Sequence, residues 1–228
     1  MVLLSGFFIS QITSINELPP IFNGIEIMIE QDKKDERYKQ RQSKIKENVD
    51  KRVEDAQTEK GLLIVVTGNG KGKTTSGFGT VARAVGHGLN CVVAQFIKGT
   101  WDCGERNLLE SHGVPFYVMN TGFTWNTQDR EADITAAEIV WDEAKKLLKD
   151  PSIHTILFDE LTYMLSYKYL DLDEVLEAIA NRPEGQHVVV TGRAAHRQLI
   201  EMADTVSEVQ SLKHAFESGI KVQKGIDW

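Results

Sequence analysis

A glycine-rich turn between an apolar run and a helix-compatible one constrains this chain more than any other feature. The turn reads Thr67-Gly68-Asn69-Gly70-Lys71-Gly72-Lys73-Thr74-Thr75. Leu62-Leu63-Ile64-Val65-Val66 precedes it, and Ser76 to Val85 follows. Strand, glycine turn and helix in that order are the setting of a phosphate-binding P-loop. Successive N–H groups in such a turn form a nest for phosphate oxygens, and the helix N-terminus adds partial positive charge. Glycine is needed because only a bare backbone approaches a polyphosphate this closely. Gly68, Asn69, Gly70, Lys71, Gly72, Lys73, Thr74 and Thr75 are therefore the candidate phosphate-binding residues. Lys73 would neutralise phosphate charge, and the Thr74 hydroxyl would complete a Mg²⁺ shell. One position departs from the pattern G-x-x-x-x-G-K-[ST]: Thr67 stands where the first glycine belongs.

From residue 61 onward apolar strands alternate with helical stretches. Strands are expected at 62–66, 91–97, 114–119, 155–158, 187–191 and near 206–209. Helices are expected at 76–85, 103–112, 131–149, 171–181 and 195–202. Such alternation predicts an α/β fold, a mostly parallel sheet with helices on both faces. Residues 61–228 form that domain. Residues 32–60 are rich in Asp, Glu, Lys and Arg, with Tyr38, Ile45, Val49, Val53 and Ala56 at helical spacing. They predict a charged amphipathic helix, either a solvated appendage or a lid that excludes water on closure. Residues 1–31 are expected to be a poorly structured extension, with Asn23-Gly24 a turn and Met28 an alternative start.

The strand Ile156-Leu157-Phe158 ends in Asp159-Glu160. Strand carboxyl ends gather at the crevice of a parallel sheet, so these acids are candidate Mg²⁺ or Mn²⁺ ligands together with Thr74. Glu160 could instead polarise a water for ATP hydrolysis, and residue types alone leave both chemistries open. Arg193 follows the 187–191 strand, and Lys98 the 91–97 strand; each is either a phosphate contact or a solvated cation. Met119-Asn120-Thr121-Gly122-Phe123-Thr124-Trp125-Asn126-Thr127 is a polar loop with two aromatics. It is either a satellite apolar cluster or a wall for a large flat ligand.

Composition excludes several classes. The formal net charge is -7, which argues against general nucleic-acid binding. The apolar N-terminal run Val2–Ile9 is too short to span a bilayer, so no membrane partner is expected. The two cysteines, Cys91 and Cys103, and the six histidines show no metal-site spacing. Few cysteines beside a nucleotide site suggest a reducing cytoplasm.

Seven separated segments together resemble the P-loop-type ATP:cob(I)alamin adenosyltransferases. They are Gly68–Thr75, Ala82-Arg83-Ala84-Val85-Gly86-His87-Gly88, Gln95-Phe96-Ile97-Lys98-Gly99-Thr100-Trp101, Gly104-Glu105-Arg106-Asn107-Leu108-Leu109, Thr121–Trp125, Asp159-Glu160-Leu161-Thr162-Tyr163, and the tail from Lys213-His214-Ala215-Phe216 to Gly225-Ile226-Asp227. The resemblance runs from about Asp35 to Trp228 and leaves residues 1–27 uncovered.

This resemblance implies a RecA-like P-loop NTPase fold, a homodimer, and ATP and a reduced corrinoid as substrates. The implied reaction is attack of Co(I) on C5′ of ATP, giving adenosylcobalamin and inorganic triphosphate. The family carries the GNGKGKT form, which accounts for Thr67; its nucleotide lies reversed, so the loop grips the leaving group. On this pattern Lys73 is catalytic and Thr74 and Glu160 hold the metal, with Asp159 in support. Phe123 and Trp125 displace the lower axial ligand of Co(II), and the 35–58 helix folds over the site. Met119 and Arg193 are further binding candidates. A flavoprotein reductant fits the chemistry. The competing reading is a P-loop ATPase using Asp159 and Glu160.

Overall fold

The structure is a computed structural model that describes residues 20–97, 102–119 and 129–227, with side chains described at 28 and from 30 on. The chain divides into two units, Met1–Thr58 and Glu59–Trp228. The first contains one long helix, α1 (Pro20–Asp55). It begins upstream of the expected residue 32 and passes through Asn23-Gly24. No proline follows Pro20 in this segment to interrupt the backbone ladder, and proline itself is tolerated in a first helical turn. Tyr38, Ile45, Val49 and Val53 are all exposed. Surface pairs one turn apart, Lys34–Glu30 and Lys46–Asp50, line the helix.

The second unit is a six-stranded sheet with the order β3-β2-β4-β5-β1-β6, every pairing parallel. The strands are β1 (Leu63–Thr67), β2 (Cys91–Gln95), β3 (Phe116–Val118), β4 (Thr155–Asp159), β5 (His187–Thr191) and β6 (Thr205–Glu208). The helices are α2 (Lys73–Gly86), α3 (Gly104–Ser111), α4 (Arg130–Leu147), α5 (Leu161–Ser166), α6 (Leu172–Ala180) and α7 (Arg197–Met202). A 3₁₀ turn, Phe216–Ser218, lies in the tail. This is the P-loop NTPase-like α/β fold that the alternation predicts.

Every residue of β2 and β4 is buried, as a sheet covered on both faces requires. The two-residue strand period divides the core cleanly. Val92, Ala94, Ile156, Phe158, Val188 and Val190 face a cluster built with Trp141 of α4, Met164 of α5, Ile179 of α6 and Leu199 of α7. Cys91, Val93, Leu157 and Val189 face the opposite side, against Phe78 and Val81 of α2 and Leu109 of α3. Gly77 lets α2 sit close: a Cβ there would lie 2.8 Å from a Leu157 methyl. Helices α4 and α6 start on aspartate caps, Asp129 accepting from Ala132 N at 3.1 Å and Asp171 from Glu174 N at 2.9 Å.

Some boundaries differ from expectation. β2 ends at Gln95, not residue 97, and α2 begins at Lys73, inside the loop motif. The short helix α5 is unforeseen; six residues are too few for a helical period to register. Among the described residues no helix is long and apolar enough to cross a membrane.

Candidate active site

The loop between β1 and α2 takes its shape from two left-handed glycines, Gly68 at φ 102° and Gly72 at φ 112°. Gly68 and Gly70 are required for a second reason. A Cβ on Gly68 would lie 2.4 Å from Val209 O, and one on Gly70 would lie 2.7 Å from Gln210 O. The chain leaving β6 runs directly behind the loop, with Gly70 N donating to Val209 O at 2.7 Å and Val209 N to Thr67 O at 2.8 Å. Thr67 uses the hydroxyl that a glycine would lack: its Oγ accepts from Ala195 N at 3.2 Å, pinning the turn after β5.

Lys73 is the first residue of α2 and is buried, its Nζ donating to Gly70 O at 2.8 Å. Burial holds its ammonium below the ordinary lysine range and Arg193 adds to that, while Glu160 and Asp159 pull the other way. Thr74 is half-buried behind it, and Asn69, Lys71 and Thr75 are exposed. Lys71 Nζ pairs with Asp227 Oδ1 at 2.7 Å.

The acids sit two strands away, because β5 lies between β1 and β4. Asp159 is fully buried. Its Oδ1 accepts from Thr191 Oγ at 2.7 Å and its Oδ2 from Gln95 Nε2 at 3.0 Å. Glu160 follows in a left-handed conformation, φ 63°, its N–H donating to Thr191 Oγ at 3.0 Å. A non-glycine residue in that region is strained, and such strain concentrates at functional sites. Gly192 keeps the space beside it open: a Cβ there would lie 2.1 Å from Thr162 Oγ and 3.1 Å from Glu160 Oε2. Thr162 Oγ donates to Arg193 O at 2.6 Å, so the β4 and β5 ends are tied together.

A cleft of about 460 Å³ joins these parts. The loop from Asn69 to Thr75 forms one wall, and Glu160, Tyr163 and Arg193 another. Burial, then the Glu160 charge, raises the Tyr163 phenol, which stays neutral. The cleft also takes Asp102, Cys103 and Glu105 before and on α3, and His214, Val222, Ile226 and Asp227 from the tail.

A family model for the ATP:corrinoid adenosyltransferases BtuR/CobO/CobP matches residues 59–228, which is the whole second unit. The chain belongs to the ATP:corrinoid adenosyltransferase family. It is 60% identical over 194 residues to the corrinoid adenosyltransferase CobA of Salmonella typhimurium and to the corrinoid adenosyltransferase of Escherichia coli K12. Each alignment covers 85% of this chain and 99% of the relative. A corrinoid adenosyltransferase of Pseudomonas aeruginosa is 48% identical over 203 residues, 88% of this chain and all of the relative.

Within this family member the loop residues Asn69 to Thr75, with Glu160 and Arg193, come together on one cleft; Gly68 supports the loop from behind. Asp159 lies beneath them. Met119 does not reach the cleft: it is buried in the core at the end of β3, its N–H donating to Gln95 O at 2.9 Å. Phe123, Trp125 and Lys98 lie outside the described residues. Sequence reasoning missed Gln95 and Thr191, which hold Asp159, and the cleft roles of Tyr163, Glu105 and Asp227. For Gln95, Tyr163, Glu105 and Asp227 a signal existed, since all four lie in segments that carry the family resemblance.

Proposed function

We propose that the protein transfers the 5′-deoxyadenosyl group of ATP to the cobalt of a reduced corrinoid, cob(I)alamin, and releases inorganic triphosphate. One observation carries this reading: a phosphate-gripping loop and a strand-end acid share one cleft in a chain 60% identical to proteins named corrinoid adenosyltransferase.

The chemistry asks little acid or base work of the protein. The Co(I) electron pair attacks C5′, the Co–C bond forms, and the C5′–O bond breaks with its electrons leaving on triphosphate. The protein must align cobalt with C5′ and stabilise the charge on the leaving group. The loop amides from Asn69 to Thr75 and the Lys73 ammonium do the second task. Burial of Lys73 strengthens its attraction for phosphate, because solvent screens it less. Arg193, at the rim, reaches the same polyanion.

Thr74 and Glu160 both line the cleft and offer oxygen donors only, which suits a hard divalent cation such as Mg²⁺. Among the described residues no cluster of three or more His, Cys, Asp and Glu forms a metal cage. The remaining ligands would be phosphate oxygens and water, as is usual for nucleotide-bound Mg²⁺. Once bound, the cation neutralises charge on the triphosphate. Asp159, with both oxygens in hydrogen bonds, positions Glu160 instead of competing for the metal.

We assign Phe123 and Trp125 to the lower face of the corrinoid, where the rings exclude the axial base and ease reduction of Co(II). Each 59 mV of that easing is about 1.4 kcal/mol for one electron. By the same family pattern the protein is a cytoplasmic homodimer that takes its electron from a reduced flavoprotein.

The test is corrinoid alkylation. With ATP, Mg²⁺ and chemically reduced corrinoid, the protein is expected to form a light-sensitive Co–C bond. ATP consumption that is independent of corrinoid would replace this reading with the ATPase one.

A further inference from the structure

The loop carries two lysines, and each has a different partner. Lys73 Nζ rests on a neutral carbonyl, Gly70 O. Lys71 Nζ rests on a carboxylate, Asp227 Oδ1, at 2.7 Å. That carboxylate is not a loose surface group. Its Oδ2 accepts from Gln223 N at 2.8 Å, and Asp227 N donates to Gln223 O at 2.8 Å, so a single closed turn aims Oδ1 at the loop. Lys71 and Asp227 both line the cleft that holds the phosphate-binding amides. The tail is anchored again behind the loop through Val209.

A fixed negative charge in a polyphosphate cleft works against the ligand. It repels phosphate oxygens, and it occupies an ammonium that would otherwise pair with them. The product is a more serious problem than the substrate. Free triphosphate carries more charge than the triphosphate arm of ATP, which is esterified at one end. A loop that stabilises the leaving group well also tends to retain it, so a chain with this chemistry benefits from a competitor for the loop lysine.

Resting on the adenosyl-transfer reading, we infer that Asp227 is a positioning residue that competes with polyphosphate for Lys71 and so promotes release of triphosphate. It sets the affinity of the cleft for the polyanion and couples the C-terminal turn to its occupancy.

The experiment measures binding of inorganic triphosphate, with Mg²⁺, to the full chain by calorimetry. The variants are Asp227→Asn, Lys71→Ala and the double substitution. Asparagine keeps an acceptor for Gln223 N and removes only the charge. Asp227→Asn is expected to bind triphosphate about fivefold more tightly, the factor that about 1 kcal/mol from a partly exposed ion pair represents. In the Lys71→Ala background the same substitution is expected to change affinity much less, because the contested ammonium is gone. A purely structural Asp227 would give unchanged or weaker binding, and either result overturns the inference. If neither the unsubstituted protein nor Asp227→Asn binds triphosphate, this inference is overturned, whereas the adenosyl-transfer reading it rests on fails separately, by the absence of Co–C bond formation from ATP and reduced corrinoid.

Discussion

Thr191 Oγ donates to Asp159 Oδ1 at 2.7 Å and the same oxygen accepts the N–H of Glu160 at 3.0 Å. One hydroxyl at the end of β5 therefore orients two successive acids at the end of β4. Thr191→Val keeps the shape and removes both bonds. Leaving buried Asp159 with one fewer donor is expected to cost about 1–3 kcal/mol of stability. The altered Glu160 is expected to raise the Mg²⁺ concentration needed for half-maximal activity several-fold. Thermal unfolding and a Mg²⁺ titration check the two effects separately.

Glycine substitutions separate the site from the scaffold. Gly192 has φ 136°, and its added Cβ would lie 2.1 Å from Thr162 Oγ. Gly192→Ala is expected to destabilise the protein by more than about 2 kcal/mol and to displace Glu160. Gly79 is exposed within α2, and an added Cβ there meets nothing within 4 Å. Gly79→Ala is expected to stabilise by about 0.5–1 kcal/mol with activity unchanged. Chemical denaturation of both proteins provides the comparison.

Lys73→Ala is expected to reduce turnover about 10²- to 10³-fold, the scale of removing a charged group aimed at developing charge. The loss should be the same whether the corrinoid is supplied as Co(I) or is reduced from Co(II) in the assay. Replacing Phe123 and Trp125 together with alanine should behave differently. Activity should fall sharply from Co(II) and little from Co(I). Equal loss in both assays would reduce those rings to packing.

Asp204 gives an acid-dependent contribution to stability. Hydrogen bonds from Lys60, then from Leu63 N, hold its carboxyl below the ordinary value of 3.8. Leu63 N donates to Oδ2 at 2.9 Å, at the start of the P-loop strand. A depressed carboxyl stabilises the fold fully above its unfolded value and loses that contribution as pH falls through the lower folded one. Asp204→Asn should therefore cost about 1 kcal/mol at pH 7. The difference from the unsubstituted protein should close below pH 3.8, which denaturant curves at several pH values would record.

The parts legible in the sequence are the local ones. The loop from Gly68 to Thr75 announces itself because turn glycines, lysine and helix start lie within a few residues. Asp159-Glu160 was readable because strand ends in a parallel sheet share one edge. What was hidden depends on strand order. Gln95 reaches Asp159 across 64 residues and Thr191 across 32, and neither bond can be foreseen until β2 and β5 flank β4. The tail behind Gly68 and Gly70 was equally hidden, since its place follows from β6 pairing with β1. Met119 was named with the aromatic loop it adjoins, while its own position just after β3 places it in the core.

The central claim is that the bond broken lies at C5′ of ATP. ATP labelled at its γ-phosphorus, incubated with Mg²⁺ and reduced corrinoid, should yield intact inorganic triphosphate with the label at a terminal phosphorus. Label recovered in orthophosphate, with ADP as the partner product, would contradict the account.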